Sequence, residues 1–154
     1  MKSIIAFSDS HNNPLPSYFE QILDEADYIF FLGDGLQGLS KYFVKDNFYA
    51  VKGNCDYMPF DDEIEITVEG VNILLTHGNR YSVRNSNLDL LYRAKEIGAD
   101  CVLYGHTHIA LIEKEEGVLL INPGSISSPR IDLPSYAYIT VINKKVLFKI
   151  VHIG

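Results

Sequence analysis

Residues 3–11 read SIIAFSDSH, a short run rich in apolar residues that ends abruptly in polar ones, with Asp9 and His11 just beyond it. An apolar run of this length, closed by polar residues, predicts a buried β-strand. The same pattern recurs at Tyr28–Leu32 and again at Phe48–Val51, each followed by Gly or Asp within a few residues. The first third of the chain therefore predicts three strands with polar ends.

Helical patterns separate these three strands. Apolar residues from Leu15 to Ala26 recur at positions i, i+3, i+4 and i+7, which predicts a helix with Asn13 as its N-cap and Pro14 at its first position. A shorter helix is expected from about Leu36 to Phe43. Alternation of strand and helix is typical of a parallel sheet with right-handed crossovers.

The rest of the chain predicts antiparallel hairpins and one further helix. Turn signals at Glu69-Gly70, Glu116-Gly117 and Asn143-Lys144 divide hairpins that we place at Glu63–Val68 with Val71–Thr76, at Ala110–Ile121 and at Tyr136–His152. A helix through Leu88–Ile97 is closed by Gly98. Because each sheet must bury one face, we expect two packed sheets with helices outside.

Length and composition favour one soluble domain over residues 1–154. A chain of 154 residues buries roughly 70 % of its unfolded surface and needs no disulfides. Cys55 and Cys101 are too few for a disulfide framework. The net charge of −7 argues against sustained nucleic-acid binding, which normally requires a basic surface. No apolar run has the length of a signal-peptide core or a membrane span, so we expect a cytoplasmic protein with no membrane partner.

Metal-binding side chains recur where the predicted strands end. Four of the five histidines lie in polar loops after apolar runs, and carboxylates and an amide occupy equivalent places. In open α/β sheets, ligands bind beyond the carboxyl ends of the strands, so these side chains are expected to converge. The set is Asp9, His11, Asp34, Asn54, His77, His106 and His108.

This set contains more ligands than one tetrahedral metal requires. It suits two divalent ions that share a bridging carboxylate, and its mixed nitrogen and oxygen character favours Mn, Fe, Zn, Co or Ni over Ca or Mg. Taken one at a time, each motif has a simpler interpretation as a turn or helix cap. The order and the repetition of the motifs favour the metal site.

The ordered motifs resemble those of calcineurin-like metallophosphoesterases, from Asp9 to about Arg130. They are Asp9-x-His11, Gly33-Asp34, Gly53-Asn54-x-Asp56, His77-Gly78 and Gly105-His106-x-His108. The short length and Asn122-Pro123-Gly124-Ser125 resemble the small bacterial and archaeal phosphodiesterase branch. The resemblance implies an α/β fold, a four-layer αββα sandwich of two mixed β-sheets, with a dimetal site at one edge.

The resemblance also implies roles for individual residues. One metal would be held by Asp9, His11, Asp34 and His108, and the other by Asp34, Asn54, His77 and His106, with Asp34 bridging. A hydroxide shared by two ions, with Mn expected first, would attack a small or nucleotide-like phosphodiester. His11, Asp34 and Asn54 are the expected catalytic residues. Asn54, Cys55 and Arg130 are the expected substrate-binding residues.

Cys55 departs from the family pattern, because many members have histidine at this place. A thiol is a weak hydrogen-bond donor and would protonate a leaving group poorly. Activated phosphodiesters should therefore be better substrates than phosphomonoesters with poor leaving groups. An alternative is that Cys55 is only a small loop residue and that another group supplies the proton.

Several alternatives remain open at this point. The chain could be a non-catalytic protein-binding scaffold on the same fold, or a phosphomonoesterase, and its tyrosine-rich hairpins make a homodimer plausible. Asn122–Ser125 is expected to form a turn that offers backbone N–H groups to a phosphate. Arg130 could pair with phosphate oxygens or be an ordinary loop cation. Asn12 and Asn13 fit a helix start better than substrate contacts, and His152 fits an ordinary strand residue.

Overall fold

A computed structural model describes all 154 residues and contains two five-stranded sheets. The two α-helices are α1 (Ser17–Glu25) and α2 (Leu88–Ile97). The strands are β1 (Lys2–Phe7), β2 (Tyr28–Phe31), β3 (Phe48–Ala50), β4 (Glu63–Val68), β5 (Val71–Thr76), β6 (Cys101–Leu103), β7 (Ala110–Glu115), β8 (Val118–Pro123), β9 (Ser135–Ile142) and β10 (Lys145–His152). Neither α-helix has the length and apolar character that a membrane-crossing helix needs.

The first sheet has the order β10-β9-β1-β2-β3. Its strands β1, β2 and β3 pair in parallel, which confirms the arrangement predicted from the first third of the chain. The predicted crossover helix after β2 is a 3₁₀ helix at Leu36–Tyr42. The C-terminal hairpin, β9 and β10, joins this sheet because β9 pairs antiparallel with β1. The sheet is therefore mixed.

The predicted start of α1 is wrong. The helix begins at Ser17, with Pro16 in the N-cap position, and not at Pro14 after an Asn13 cap. Leu15 precedes Pro16, and a residue before proline is disfavoured in helical conformation, so the helix cannot begin earlier. The Asn13 side chain donates to Ser127 Oγ at 3.3 Å, and Asn12 Oδ1 accepts from the backbone of Gly38 at 3.1 Å.

The second sheet has the order β4-β5-β6-β8-β7. The hairpins β4–β5 and β7–β8 form where the turn signals predict them. α2 has the predicted bounds, and Gly98 ends it in the left-handed conformation with φ of 71°. Strands β5, β6 and β8 pair in parallel, so the second sheet is mixed, as the family resemblance implied, although the local patterns in this part of the chain indicated only hairpins and a helix.

The core lies in three layers, which confirms the αββα sandwich. Sixteen buried residues fill the space between the sheets, among them Ile4, Phe30, Ile73 and Leu103. A second cluster packs α1 and the 3₁₀ helix on the outer face of the first sheet. A third packs α2 on the outer face of the second. The sheets thereby hold the carboxyl ends of β1, β2, β5 and β6 at one edge of the molecule.

Candidate metal centre

The loops after β1, β2, β5 and β6 bring six of the seven candidate ligands together. Two compact groups form: Asp9 with His11 and His108, and Asp34 with His77 and His106. Within each group the possible ligand atoms all lie within 4.8 Å of one another. The polar residues at the strand ends therefore converge, as the sequence predicts.

Asp9 lies at the centre of the cluster and is completely buried. Its Oδ2 accepts from the Ser8 hydroxyl at 2.6 Å and from the backbone N–H of His106 at 3.1 Å. Its Oδ1 has no hydrogen-bond partner, although Nε2 atoms of His11, His77 and His108 lie at 3.9, 3.9 and 3.3 Å. A buried carboxylate oxygen without a hydrogen bond is costly, and a bound cation would satisfy it.

Asp34 is the second buried carboxylate of the cluster. Its Oδ1 accepts from the backbone N–H of Cys55 at 2.8 Å, and its Oδ2 lies 3.2 Å from His77 Nε2 and 3.9 Å from His11 Nε2. Burial raises the pKa of Asp34, but the hydrogen bonds and positive charge around it, mainly from His77, outweigh burial and lower this pKa to about 2. The carboxylate is therefore ionised, as a metal ligand must be.

Backbone carbonyls fix the orientation of two histidines. His77 Nδ1 lies 2.7 Å from the carbonyl oxygen of Leu32, and His108 Nδ1 lies 2.7 Å from that of Ser128. A ring whose Nδ1–H donates to a carbonyl can offer a lone pair to a metal only at Nε2, and here Nε2 faces the carboxylates. This is the arrangement by which proteins orient metal-binding histidines.

Ring nitrogens of neighbouring histidines also lie close to one another. His106 Nδ1 lies 3.2 Å from His77 Nε2, and His11 Nε2 lies 3.2 Å from His108 Nε2. Burial lowers the pKa of His106, and the neighbouring His77 and Arg84 lower it further. These effects favour the neutral form of His106, which is the form that binds metal.

Backbone strain concentrates at the cluster. Five of the twelve non-glycine residues with positive φ are proposed ligands, with φ between 47° and 75°: Asp9, His11, Asp34, His106 and His108. Such conformations are uncommon outside glycine and persist where the surrounding structure holds them. Gly53 has no room for a side chain, because a Cβ there would lie 2.1 Å from Asp34 Oδ1.

Asp56 is a supporting residue to which the sequence assigned no role, although it belongs to a quoted motif. Its Oδ2 accepts from the backbone N–H groups of Asp34 and Gly53 at 2.7 and 2.8 Å. Its Oδ1 accepts from those of Gly35 and Leu36 at 2.8 and 3.0 Å. One carboxylate therefore joins the loop after β2 to the loop after β3.

The expected substrate-binding residues lie at the open side of the cluster. Cys55 is exposed, and its Sγ belongs to a group with His11 and Asp34 whose ligand atoms lie within 4.8 Å of one another. Asn54 is exposed, and its only side-chain hydrogen bond is to Cys55 Sγ at 3.6 Å. Arg130 is exposed, with its backbone N–H bound to the carbonyl oxygen of His108. His152 lies near Asp132 at 3.5 Å and outside the cluster.

The expected role of Asn122–Ser125 is wrong. These residues are buried, and the backbone N–H of Gly124 donates to Asn122 Oδ1 at 2.9 Å and is not free for a phosphate. The Asn122 amide donates to Gly105 O and Thr107 Oγ1, and Ser125 Oγ donates to the carbonyl oxygen of Asp9 at 2.8 Å. The segment therefore stabilises the loops that carry the proposed ligands through these hydrogen bonds.

The residues present fit a divalent metal centre. They offer buried carboxylates and imidazoles whose ring nitrogens lie within 4.8 Å of the carboxylate oxygens, and a cation would satisfy the unpartnered Asp9 Oδ1. A donor set of imidazole and carboxylate suits Zn, Mn, Fe or Co better than Ca.

Comparison with known proteins identifies the family. A family model described as a calcineurin-like phosphoesterase superfamily domain matches residues 1–144, so the chain belongs to this superfamily. The resemblance inferred from the motifs is confirmed. Probable metallophosphoesterase YsnB of Bacillus subtilis is 37 % identical over 145 residues, which cover 92 % of this chain and 85 % of that protein.

More distant relatives and solved structures agree on the fold. Phosphodiesterase MJ0936 of Methanocaldococcus jannaschii is 31 % identical over 86 residues, which cover 55 % of this chain and 48 % of that protein. A predicted phosphoesterase from Streptococcus pneumoniae superposes with a TM-score of 0.82 at 27 % identity, covering 98 % of this chain and 89 % of that one. Vps29 of Entamoeba histolytica, solved in complex with zinc, has a TM-score of 0.79 at 20 % identity, covering 97 % and 98 %; this likeness concerns the fold alone.

Proposed function

We propose that the protein is a phosphodiesterase that depends on two divalent metal ions. The observation that carries the proposal is the buried, unpartnered Oδ1 of Asp9, faced by three imidazoles and lying beside a second buried carboxylate. Membership of the phosphoesterase superfamily and the relatives named phosphodiesterase support the reaction class.

The proposed ligand sets divide around Asp34. Asp9, His11 and His108 would hold one ion, and His77, His106 and Asn54 the other, with Asp34 shared by both. When bound, the ions would polarise the phosphoryl oxygens and lower the pKa of a coordinated water. Manganese is the first metal to test, followed by Fe, Zn, Ni and Co.

The protein's own groups prepare this site before any substrate arrives. The carbonyls of Leu32 and Ser128 hold the Nδ1 protons of His77 and His108, so both rings keep their orientation. Asp56 fixes the backbone that carries Asp34. Because these groups are already oriented, the protein does not have to rearrange them during the reaction, and they can stabilise charge in the transition state.

Cys55 supports a preference for diesters with good leaving groups. Burial raises the pKa of its thiol, and the charge of Asp34 raises it further, so the group is a poor acid beside the reaction site. Such a site would favour a leaving group that departs without a proton. Alkyl phosphomonoesters need that proton and would react slowly.

The test compares two chromogenic substrates with purified protein and added Mn²⁺. Bis(p-nitrophenyl) phosphate should be hydrolysed faster than p-nitrophenyl phosphate. Substitution of a residue that only orients a metal ligand typically costs about 10- to 100-fold in activity, and Asp9→Asn should reduce kcat/KM by more than this. Asp46→Asn, which changes an exposed carboxylate without a hydrogen bond or ion pair, is the matched control.

Three outcomes contradict the proposal. Hydrolysis of neither substrate would favour the non-catalytic scaffold. Faster hydrolysis of the monoester would favour a phosphomonoesterase. If Asp9→Asn keeps the wild-type kcat/KM, Asp9 is not a metal ligand of the active site.

A further inference from the structure

Two arginines beside the candidate metal centre have no acidic partner. The chain has four arginines, of which Arg80 pairs with Asp62 and Arg93 with glutamates. Arg84 and Arg130 make no ion pair, although the chain carries twenty acidic residues. A guanidinium group without an acidic partner keeps its fork of N–H donors available for an anion such as phosphate.

Both unpaired arginines line one cavity. It has a volume of about 280 Å³, just below the usual range for small-molecule sites, and an apolar side formed by Val83, Ile109 and Leu111. Leu111 is 43 % exposed and leaves this apolar side open to solvent. The cavity therefore combines positive charge with an apolar wall, and we call it the arginine pocket.

The arginine pocket adjoins the candidate metal centre directly. Arg84 Nε lies 3.1 Å from His106 Nε2, and Arg84 Nη2 lies 3.5 Å from the His106 carbonyl oxygen. Arg84 Nη1 makes no hydrogen bond. The backbone N–H of Arg130 is bound to the carbonyl oxygen of His108 at 3.1 Å, while its side chain is free. Each guanidinium is thus attached next to a proposed ligand and keeps donors available.

We propose that the arginine pocket binds a second phosphate group of the substrate, next to the phosphodiester that is cleaved. The inference rests on the proposed function, since it names the substrate class of that site: a nucleotide-like phosphodiester that carries a further phosphate. The guanidinium fork matches the oxygens of a terminal phosphate, which offers more charge than a diester. The apolar wall would contact the adjoining sugar or base.

The experiment uses two substrates that differ by one phosphate. They are thymidine 5′-(p-nitrophenyl phosphate) and the same compound carrying a 3′-phosphate. Wild-type protein with Mn²⁺ should show a kcat/KM about 10- to 100-fold higher for the 3′-phosphorylated substrate, the range expected for a charged hydrogen bond. Arg84→Gln should remove most of this preference, and Arg130→Gln should reduce it. Arg80→Gln, an ion-paired surface arginine on a neighbouring turn, should leave it unchanged.

The ratio of the two rates separates the second phosphate from other roles of Arg84. If Arg84 contacts the cleaved phosphate or merely positions His106, Arg84→Gln lowers both rates equally and the ratio stays constant. That result overturns the inference, as does a wild-type protein without preference. Both results leave the proposed phosphodiesterase activity intact.

Binding tests the pocket when neither substrate is hydrolysed, an outcome in which the proposed function fails. Calorimetry would then compare thymidine 3′,5′-bisphosphate with thymidine 5′-monophosphate. The bisphosphate should bind wild-type protein about 10- to 100-fold more tightly, and Arg84→Gln should lose most of this difference. Equal affinity for both ligands in wild-type protein overturns the inference.

Discussion

Asp56→Asn should destabilise the protein although it changes only one oxygen to an NH₂ group. The carboxylate accepts four backbone N–H groups, two on each oxygen, at 2.7 to 3.0 Å. An asparagine keeps one acceptor oxygen, and its amide N–H groups would face two backbone donors. Two hydrogen bonds to a charged acceptor are therefore lost, and no rotation of the side chain restores them.

The expected loss follows from these bonds. A hydrogen bond to a charged group contributes about 1.5–3 kcal/mol, so two contribute about 3–6 kcal/mol. Asp56 is half-buried, so water can form hydrogen bonds with part of the exposed backbone N–H groups. We therefore expect a loss of stability near the lower end of this range, about 3 kcal/mol. That is a large share of the about 5–15 kcal/mol by which domains are stable.

Equilibrium urea denaturation, followed by circular dichroism, measures this loss of stability. EDTA is present so that bound metal does not add to the stability of either protein. The control is Asp61→Asn, which changes an exposed carboxylate that makes no side-chain hydrogen bond or ion pair, and it should stay within about 0.5 kcal/mol of wild type. A loss below about 1 kcal/mol in Asp56→Asn would refute the bracing role.

Three further predictions concern the thiols and the proposed ligands. In metal-free native protein a disulfide reagent should label Cys55 alone, because Cys101 is buried and its pKa is raised to about 12 by burial; labelling of both thiols at one rate would contradict this. Cys55→His should raise kcat/KM for substrates with basic leaving groups by roughly 10²–10⁴-fold, but little for nitrophenyl diesters. Parallel dependence on leaving-group pKa in both proteins would show that position 55 does not reach the leaving group. Asp34→Ala should lower the content of both metals in elemental analysis, whereas His152→Ala should not; two metals retained by Asp34→Ala would disprove a bridge.

Local signals in the sequence predicted much of the fold. Glu69-Gly70 and Asn143-Lys144 are turn sequences between runs that alternate, so the hairpins could be placed to within a residue or two. Gly98 supplied the left-handed end of α2. The N-terminus of α1 was misplaced because two prolines compete for the first turn, and Pro16 prevails by restricting Leu15.

Contacts between residues far apart in the chain could not be predicted from local sequence patterns. Nothing in β9 indicates that it pairs with β1, since its alternating pattern suits either sheet. The strand-end rule brought the proposed ligands to one edge, but the bracing by Asp56 depends on two loops meeting. Arg84 was missed for the same reason: its segment carries no motif, and only the fold places it beside His106.

The most direct test of the account is a metal titration in which binding and activity are measured on the same sample. Chelator-stripped protein receives Mn²⁺ in steps, and bound metal and hydrolysis of bis(p-nitrophenyl) phosphate are recorded at each step. We predict no hydrolysis at the start and a rate that rises to a plateau as two ions per chain are bound. Full hydrolysis by the stripped protein, or a rate that does not follow bound metal, would contradict the dimetal phosphodiesterase.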